Sequence, residues 1–226
     1  YVSEEMKSFD AQAREKNLLF LCEMGLDPGI DHMSAMQIIH SVQKRGGKID
    51  EFVSVCGGLP APEANTNPFG YKFSWSPKGV LLAGNNPAQY IDGGAVKKLS
   101  AQDLFHSTAS MKINGQDFEA YPNRDSTAYE DIYGLDGIDL LMRGTLRYAG
   151  WHKLILALKA LNLLTETSVP AETSSYAGML AMVSGLDESK LRSAVASKLE
   201  MTEDDKTIKA LDWLGLFDTK HVDFPA

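Results

Sequence analysis

The 226-residue sequence lacks several features that assign a protein to a function class. No apolar run approaches the roughly 20 residues that a helix needs to cross a bilayer. The first residues carry neither a signal-peptide pattern nor an Arg-rich transit pattern, and no G-x-S-x-G, P-loop or G-x-G-x-x-G motif is present. We therefore predict no membrane span and cannot assign a dinucleotide-phosphate site. Because the sequence opens at Tyr1 without an initiator Met, we expect a piece of a longer protein.

Cysteine and clustered basic residues are also scarce. The two cysteines, Cys22 and Cys56, lie in apolar runs without C-x-x-C or Cys/His metal spacing. We expect reduced, buried thiols, which are typical of an intracellular protein, and no metal site. The 30 acidic residues exceed the 22 basic ones, giving a net charge of −8, and no Lys/Arg run is dense enough to bind a phosphate backbone. Nucleic acid is therefore not an expected partner.

Apolar residues make up 44% of the chain, which is enough for a substantial core in one large domain or two small ones. Hydrophobic spacing alternates between helical and strand periods up to about residue 150 and is helical beyond it. Helices are predicted at residues 3–16 (with Ser3 as N-cap), 33–45, 77–82, 127–133, 154–164, 176–183, 191–199 and 208–216. Strands are predicted at residues 18–24, 49–56 and 140–148, with short antiparallel strands turning at Asp92-Gly93-Gly94 and Asn114-Gly115. The fold class is therefore α/β with a helical subdomain.

The apolar run at residues 18–24 leads into a polar turn, EMGLDPGIDH, at residues 23–32. Its two glycines and its proline permit a tight bend, and Asp27 and Asp31 bring carboxylates into that bend. Two interpretations fit this turn. It is either a strand-to-helix turn with Asp31 as the N-cap, or a ligand site at the carboxyl edge of an α/β sheet. Of the five histidines, only His32 lies near this candidate site.

Several cations outside this turn suggest that the protein binds an acid. Arg143 and Arg147 lie on one face of a predicted strand, and Arg124 stands beside Asp125. Arginine binds carboxylates in a bidentate manner, so two guanidinium groups in one cleft would suit a substrate with more than one carboxylate. Surface salt bridges are the alternative. Lys72, which lies among aromatic residues, is either a desolvated lysine or the exposed side of an edge strand.

Five motifs follow one another along the chain: EMGLDPGIDH at residues 23–32, SVCGGLPAPE at 54–63, YKFSWS at 71–76, YPNRDS at 121–126 and RGTLRY at 143–148. Together they resemble the glutamate-forming saccharopine dehydrogenases, including the dehydrogenase half of bifunctional lysine-ketoglutarate reductase/saccharopine dehydrogenases (aminoadipic semialdehyde synthases). The resemblance covers residue 1 to about residue 164, and the helical remainder is more loosely similar.

This resemblance implies a division of the chain into three parts. Residues 1–25 would be the last helix and strand of a Rossmann domain. Residues 26–150 would be an α/β substrate-binding domain with a mixed sheet, and residues 151–226 a truncated helical subdomain. Most of the Rossmann domain, with its Gly-rich cofactor turn, would lie outside this chain.

The resemblance also implies a reaction. Hydride leaves the secondary-amine carbon of saccharopine for NAD or NADP, and water hydrolyses the imine to glutamate and aminoadipic semialdehyde. Carried over by motif, the substrate contacts are Tyr1, Cys56, Arg124, Thr145, Leu146 and Arg147, and the cofactor contacts are Asp27, Trp75 and Ser76. Saccharopine carries three carboxylates, so Arg124 and Arg147 become the expected clamps. Asp27 and Lys72 are the candidates for the group that takes the amine proton.

Two alternatives stay open. A non-catalytic amino-acid-binding or regulatory module would keep the pocket without the cofactor domain. A related dehydrogenase acting on polyamine-type imines would have less use for Arg124 and Arg147 together. The expected partners are saccharopine, a Rossmann domain, a fused lysine-ketoglutarate reductase in bifunctional members and further copies in a homo-oligomer. The expected compartment is the cytoplasm, or the mitochondrial matrix for an animal protein, and the isolated piece is expected to be inactive.

Overall fold

The computed structural model describes residues 2–166, 168–170 and 173–222. Within it, the chain divides into two compact units. Unit 1 comprises Tyr1–Cys56, Gln89–Lys97 and Asp125–Gly144, and unit 2 comprises Gly57–Ala88, Lys98–Arg124 and Thr145–Ala226. The expected division at residues 25 and 150 stays a prediction.

Helices and strands alternate up to residue 150, and helices follow. The described helices are α1 (Glu4–Ser8), α2 (Asp10–Glu15), α3 (Ile30–Lys44), α4 (Pro77–Ala83), α5 (Tyr129–Tyr133), α6 (Trp151–Ala160), α7 (Tyr176–Ser184), α8 (Leu191–Lys198) and α9 (Lys206–Trp213). The described strands are β1 (Glu51–Cys56), β2 (Ala88–Asp92), β3 (Ala95–Leu99), β4 (Ala109–Ile113), β5 (Gln116–Pro122) and β6 (Leu140–Tyr148). The predicted α/β class with a helical subdomain is therefore confirmed.

Local sequence signals account for most of these boundaries. The Ser3 hydroxyl accepts the Met6 N–H at 3.1 Å and begins α1 as predicted, although a second short helix replaces the rest of the predicted one. The Ser76 hydroxyl accepts the Gly79 N–H at 3.1 Å, with Pro77 as the first residue of α4. The turn between β4 and β5 has positive φ at both central residues, as an Asn-Gly hairpin requires.

The predicted strand at residues 18–24 is wrong, because the structure assigns no strand to that segment. Its apolar side chains are exposed, with Leu19 at 84% and Met24 at 68%. A strand needs a neighbour whose backbone completes its hydrogen bonds. No described strand supplies those bonds to residues 19–24.

The chain passes from unit 1 to unit 2 within β6. In unit 1, β2 lies beside β3 and pairs antiparallel with β6, with Ile91 opposite Leu141, and β1 also pairs with β6. In unit 2, β4 and β5 form an antiparallel hairpin in which Met111 lies opposite Phe118, and β5 neighbours β6.

The two units differ in the size of their hydrophobic cores. The core of unit 1 consists of Ala35, Ile39, Ile91, Tyr133, Leu135, Ile138 and Leu141. In unit 2 the larger core joins α6 to α9 with the strand hairpin, and its fully buried members include Ile155, Leu161, Leu180, Val195, Ile208 and Leu211. In the described part of the chain, no helix is both long and apolar enough to cross a membrane.

Candidate functional site

The turn before α3 is closed so tightly that position 29 requires glycine. The Gly25 N–H donates to Pro28 O at 3.1 Å, and a Cβ on Gly29 would lie 2.1 Å from Gly25 O. The φ of Gly29 is 151°, a value that residues with a side chain rarely adopt. This closed turn brings the carboxylates of Asp27 and Asp31 close together.

Both carboxylates bind one guanidinium, that of Arg143 on β6. Its Nη2 donates to Asp27 Oδ1 at 2.9 Å and also to Asp31 Oδ2. The guanidinium lies 4.4 Å from the centre of the Tyr129 ring, and the fully buried Ser126 hydroxyl accepts the Arg143 N–H at 2.9 Å. We call Asp27, Asp31, Tyr129 and Arg143 the Arg143 cluster; all four residues belong to unit 1.

In the Arg143 cluster, charge pairing shifts the pKa values of Arg143 and Asp31 by more than burial does. Burial works to lower the pKa of Arg143, but the Tyr129 ring and the two carboxylates raise that pKa by more. Burial likewise works to raise the pKa of Asp31, but the Gly29 N–H, at 2.7 Å, and Arg143 lower it overall. Asp31 and Arg143 are therefore both ionised at neutral pH, and the chain itself supplies the counter-charge of this cation.

The prediction that Asp31 is the N-cap of α3 is wrong. Gly29 is the N-cap, and the helix begins at Ile30. The Asp31 carboxylate accepts the Gly29 N–H and binds Arg143, which is 112 residues away in sequence. No local pattern could have indicated that partner.

His32 lies beside the Arg143 cluster and packs against two tyrosines. Its Nδ1 is 2.7 Å from the Tyr133 hydroxyl, and its ring stacks on Tyr129 with 5.3 Å between the centroids. Burial raises the pKa of Tyr133 to about 12, so the hydroxyl is protonated at neutral pH. Among the described residues, His32 Nε2 has no hydrogen-bond partner, and Glu23 Oε2 lies 3.8 Å from it.

Arg147 is buried in unit 2 without an acidic partner. The residue is 8% exposed, and its guanidinium lies 4.9 Å from the Tyr71 ring centre and 5.3 Å from that of Trp151. Its Nη1 donates to Leu146 O at 2.8 Å. Within the described ranges, Nε has no partner and no carboxylate forms an ion pair with this guanidinium. We call Arg147, Tyr71 and Trp151 the Arg147 cluster.

Two other predicted substrate contacts lie directly beside Arg147 in the chain. Thr145 and Leu146 are half-buried on β6. A Cβ on Gly57 would lie 2.2 Å from Leu146 O, so the loop after β1 passes very close to this strand. Gly57 of the SVCGGLPAPE motif therefore has a packing role, because its lack of a side chain permits the loop to approach the segment that carries Arg147.

The remaining predicted site residues are more dispersed. Arg124 and Lys72 are exposed, and the structure assigns no strand to residues 71–76, so the alternative of an edge strand at Lys72 is wrong. Trp75 is 60% exposed, and the Ser76 hydroxyl caps α4. Cys56 ends β1, and both cysteines are half-buried rather than fully buried. Tyr1 lies outside the described residues.

Sequence reasoning missed the partners of both strand arginines. It considered Arg143 as one of three possible substrate cations and chose Arg124 and Arg147 as the clamps, but it did not identify Asp27 and Asp31 as the partners of Arg143. It also did not select Tyr71 or Trp151. The available signal for Tyr71 was its place in the aromatic YKFSWS motif, since buried aromatic rings frequently cover arginine.

Unit 2 also contains an apolar cavity of about 680 Å³, a volume typical of small-molecule sites. Tyr71 and Trp151 form part of its wall, together with Phe69 and Trp213. Among the described residues that line it, Lys72 is the one that carries a charge.

The described residues do not fit a complete nicotinamide dinucleotide. Binding of the pyrophosphate uses a Gly-rich turn before a helix, and the sequence has no G-x-G-x-x-G motif. The polar groups proposed for the cofactor are already engaged, because Asp27 binds Arg143 and Ser76 caps α4. No chemical step through the cofactor is therefore derived from this chain.

Comparison with known proteins gives consistent matches in sequence. Residues 25–224 match the family model described as the saccharopine dehydrogenase C-terminal domain. The chain is 40% identical to the NADP(+), L-glutamate-forming saccharopine dehydrogenase of Pyricularia oryzae, covering 98% of this chain and 51% of the relative. It is 37% identical to the mitochondrial alpha-aminoadipic semialdehyde synthase of Bos taurus, covering 98% of this chain and 25% of the relative.

A solved structure matches as well. The apo histidine-tagged saccharopine dehydrogenase (L-Glu forming) from Saccharomyces cerevisiae superposes with a TM-score of 0.87 at 34% identity, covering 98% of this chain and 52% of that one. The chain thus spans about half the length of its fungal relatives. Because sequence and fold both match over nearly all of its length, the chain belongs to the saccharopine dehydrogenase family.

Proposed function

We propose that this chain is the substrate-binding part of an oxidoreductase that cleaves L-saccharopine to L-glutamate and 2-aminoadipate 6-semialdehyde with NAD(P)⁺ in lysine metabolism. The observation that carries the proposal is Arg147, a buried cation with no acidic partner in the described part of the chain. A buried charge without a counter-ion is costly. A substrate carboxylate would remove that cost, and saccharopine carries three carboxylates.

The geometry of the Arg147 guanidinium suits a carboxylate. Its Nη1 is occupied by Leu146 O, and its Nε has no partner among the described residues. In this proposal a carboxylate binds the edge formed by Nε and Nη2, of which Nε is enclosed within the folded chain. That edge matches the two oxygens of a carboxylate, as bidentate arginine recognition requires. Thr145 and Leu146 continue the substrate wall in this proposal, with Arg124 as a second clamp and with Tyr1 and Cys56 as further contacts.

The proposal includes a nicotinamide cofactor but does not specify NAD or NADP. The fungal relatives are named as NADP(+) enzymes, which supports a nicotinamide cofactor in general. We place its phosphates outside residues 1–226 and its nicotinamide end near Asp27, Trp75 and Ser76. Asp27 and Lys72 stay the candidates for the group that takes the amine proton. The choice of NAD or NADP, the compartment, the oligomeric state and fusion to a reductase stay predictions.

The two alternatives fare differently against Arg147. Polyamine-type imines would have less use for Arg124 and Arg147 together than saccharopine with its three carboxylates, which argues against them. An amino-acid-binding module would use the same arginine in the same way. Turnover of saccharopine by the whole protein, with either nicotinamide cofactor, separates that module from the enzyme.

The test is calorimetric titration of the whole protein with saccharopine, comparing the wild type with Arg147→Ala. Loss of hydrogen bonds to a charged group costs about 1.5–3 kcal/mol, so we expect affinity to fall roughly 10- to 100-fold. Arg147→Lys should recover only part of it, because lysine offers no bidentate fork.

Arg192→Ala is the matched control for this titration. Arg192 also belongs to unit 2, but it is partly exposed and pairs with Asp212 at 3.1 Å, so we expect unchanged affinity. If Arg147→Ala stays folded by circular dichroism and binds saccharopine as tightly as the wild type, the proposed role of Arg147 is wrong.

A further inference from the structure

We propose that Tyr71 and Trp151 are positioning residues that hold the guanidinium of Arg147 in its binding orientation, and that Glu119 in turn fixes Trp151. This inference rests on the proposed function, which supplies the carboxylate that Arg147 binds. It adds three residues that lie outside the RGTLRY motif around Arg147.

The first step is the packing around Arg147. Tyr71 and Trp151 are 5% and 4% exposed, and their ring centroids are 5.1 Å apart. Both rings lie within cation–π distance of the guanidinium. A long arginine side chain with a single backbone hydrogen bond would otherwise sample several rotamers. The two rings are therefore what restricts Arg147 to one orientation.

The second step is the anchoring of Trp151 by a buried carboxylate. Glu119 on β5 is 3% exposed, and it accepts the Gly150 N–H at 2.8 Å and the His152 N–H at 2.6 Å. These two amides flank Trp151 in the chain. Glu119 also lies 2.8 Å from His152 Nδ1. A carboxylate at the first turn of α6 is favourable for the helix, and here it also fixes the backbone that carries the tryptophan ring.

The third step concerns the cavity that lies beside the Tyr71 and Trp151 rings. Tyr71 and Trp151 form part of the wall of the 680 Å³ apolar cavity. A ring next to a cavity is not confined on every side by packing, so its position depends on its backbone. Loss of the Glu119 contacts would let Trp151 move toward that space, and Arg147 would lose one of the rings that orient it.

Together these contacts form a preorganised clamp, in which the cation is held in place before the ligand arrives. Preorganisation raises affinity because the cost of ordering the side chain is already met in the free protein. Removing a ring should therefore weaken ligand binding even though the charge of Arg147 remains.

The experiment measures the saccharopine affinity of the whole protein by calorimetry for Tyr71→Leu, Trp151→Leu and Tyr71→Phe. Ordering one rotamer-rich side chain on binding costs roughly a 2- to 10-fold change in Kd, so each leucine variant should raise Kd by about that factor. Tyr71→Phe keeps the ring and should stay within about twofold. Glu119→Gln, which keeps one acceptor oxygen, should give a smaller loss in the same direction.

The decisive readout combines these changes with Arg147→Ala. If the rings act through Arg147, then Trp151→Leu and Tyr71→Leu should have no further effect on Kd in the Arg147→Ala background. A role in general packing would instead give the same loss in both backgrounds, and that result would overturn the inference.

Other outcomes separate this inference from the proposed function. If Arg147→Ala alone leaves affinity unchanged, the proposed function fails and the inference fails with it. If Arg147→Ala weakens binding but both leucine variants bind normally, only the inference fails. Should Trp151→Leu not fold, the comparison of Tyr71→Leu with Tyr71→Phe, in both backgrounds, decides the question.

Discussion

Arg143 and Arg147 lie four residues apart on β6 and are equally buried, at 7% and 8% exposure, but their surroundings are opposite. Arg143 binds two carboxylates and lies over one aromatic ring. Arg147 lies over two rings and, in the described part of the chain, has no carboxylate partner. Since a buried cation needs a counter-charge, the chain itself supplies one for Arg143. For Arg147 we propose that a ligand supplies the counter-charge. The two arginines are equally buried, but Arg143 has a structural role and Arg147 has a proposed binding role.

Replacing each arginine by methionine should give the largest contrast. Arg143→Met leaves the buried Asp31 and the half-buried Asp27 without a cation, and breaking a buried ion pair costs about 3–5 kcal/mol. Arg147→Met leaves no carboxylate behind and removes an unpaired buried charge, so we expect a change below about 1 kcal/mol. Urea denaturation followed by circular dichroism measures both free energies of unfolding.

Equal destabilisation by the two substitutions would break the comparison. It would show that Arg147 is neutralised within the folded chain, and the main argument for a ligand carboxylate would be lost. A stability gain in Arg147→Met, together with loss of saccharopine binding, would sharpen the comparison further.

A smaller effect should appear in acid, where the Arg143 cluster should lose the stabilisation that Asp31 provides. The pKa of Asp31 in the folded protein lies below its ordinary value of 3.8, so the folded state binds this proton less readily than the unfolded chain does. The stabilisation from Asp31 is therefore fully present above about pH 3.8 and is lost as the pH falls through the lower folded pKa. Asp31→Asn should cost about 2 kcal/mol at neutral pH, and the difference from wild type should shrink below pH 3.8.

Asp50→Asn is the matched control for the acid titration. Asp50 pairs with Lys48 at 3.1 Å, but its side chain is 64% exposed, and surface pairs of this kind contribute little. Urea unfolding from neutral pH down to about pH 2.5 should show a nearly constant difference from the wild type for this control. If Asp31→Asn gave the same flat difference, its carboxylate would not be held by Arg143.

Where a fold signal is local, the sequence was sufficient to predict it. The alternation at residues 140–148 predicted β6 with both of its ends. Asn114 and Gly115 predicted a hairpin because both positions adopt positive φ, and Ser76 with Pro77 predicted the start of α4. In each case the determining residues lie within one turn or one strand, so no distant partner is needed.

Where the determinant is a distant contact, sequence reasoning failed. Residues 18–24 have the composition of a strand, but a strand also requires a neighbour, and none is described. Aspartate is a common N-cap residue, yet the carboxylate of Asp31 binds a guanidinium 112 residues away. For the site, the motifs indicated Thr145 to Arg147, whereas Tyr71 and Trp151 reach Arg147 only through tertiary packing.

The smallest expected effect concerns Tyr129. It tests how much this ring adds to the free energy of unfolding when Arg143 already binds two carboxylates. Tyr129→Leu removes the ring that lies 4.4 Å from the Arg143 guanidinium, and we expect a loss of about 1 kcal/mol in unfolding free energy. Tyr129→Phe should lose less than about half of that, because the ring remains. Saccharopine affinity should stay unchanged in Tyr129→Leu, since Asp27 and Asp31 still hold the guanidinium. A loss of affinity as large as that expected for Tyr71→Leu would mean that both arginines depend on their rings for binding, and the distinction between the two clusters would not hold.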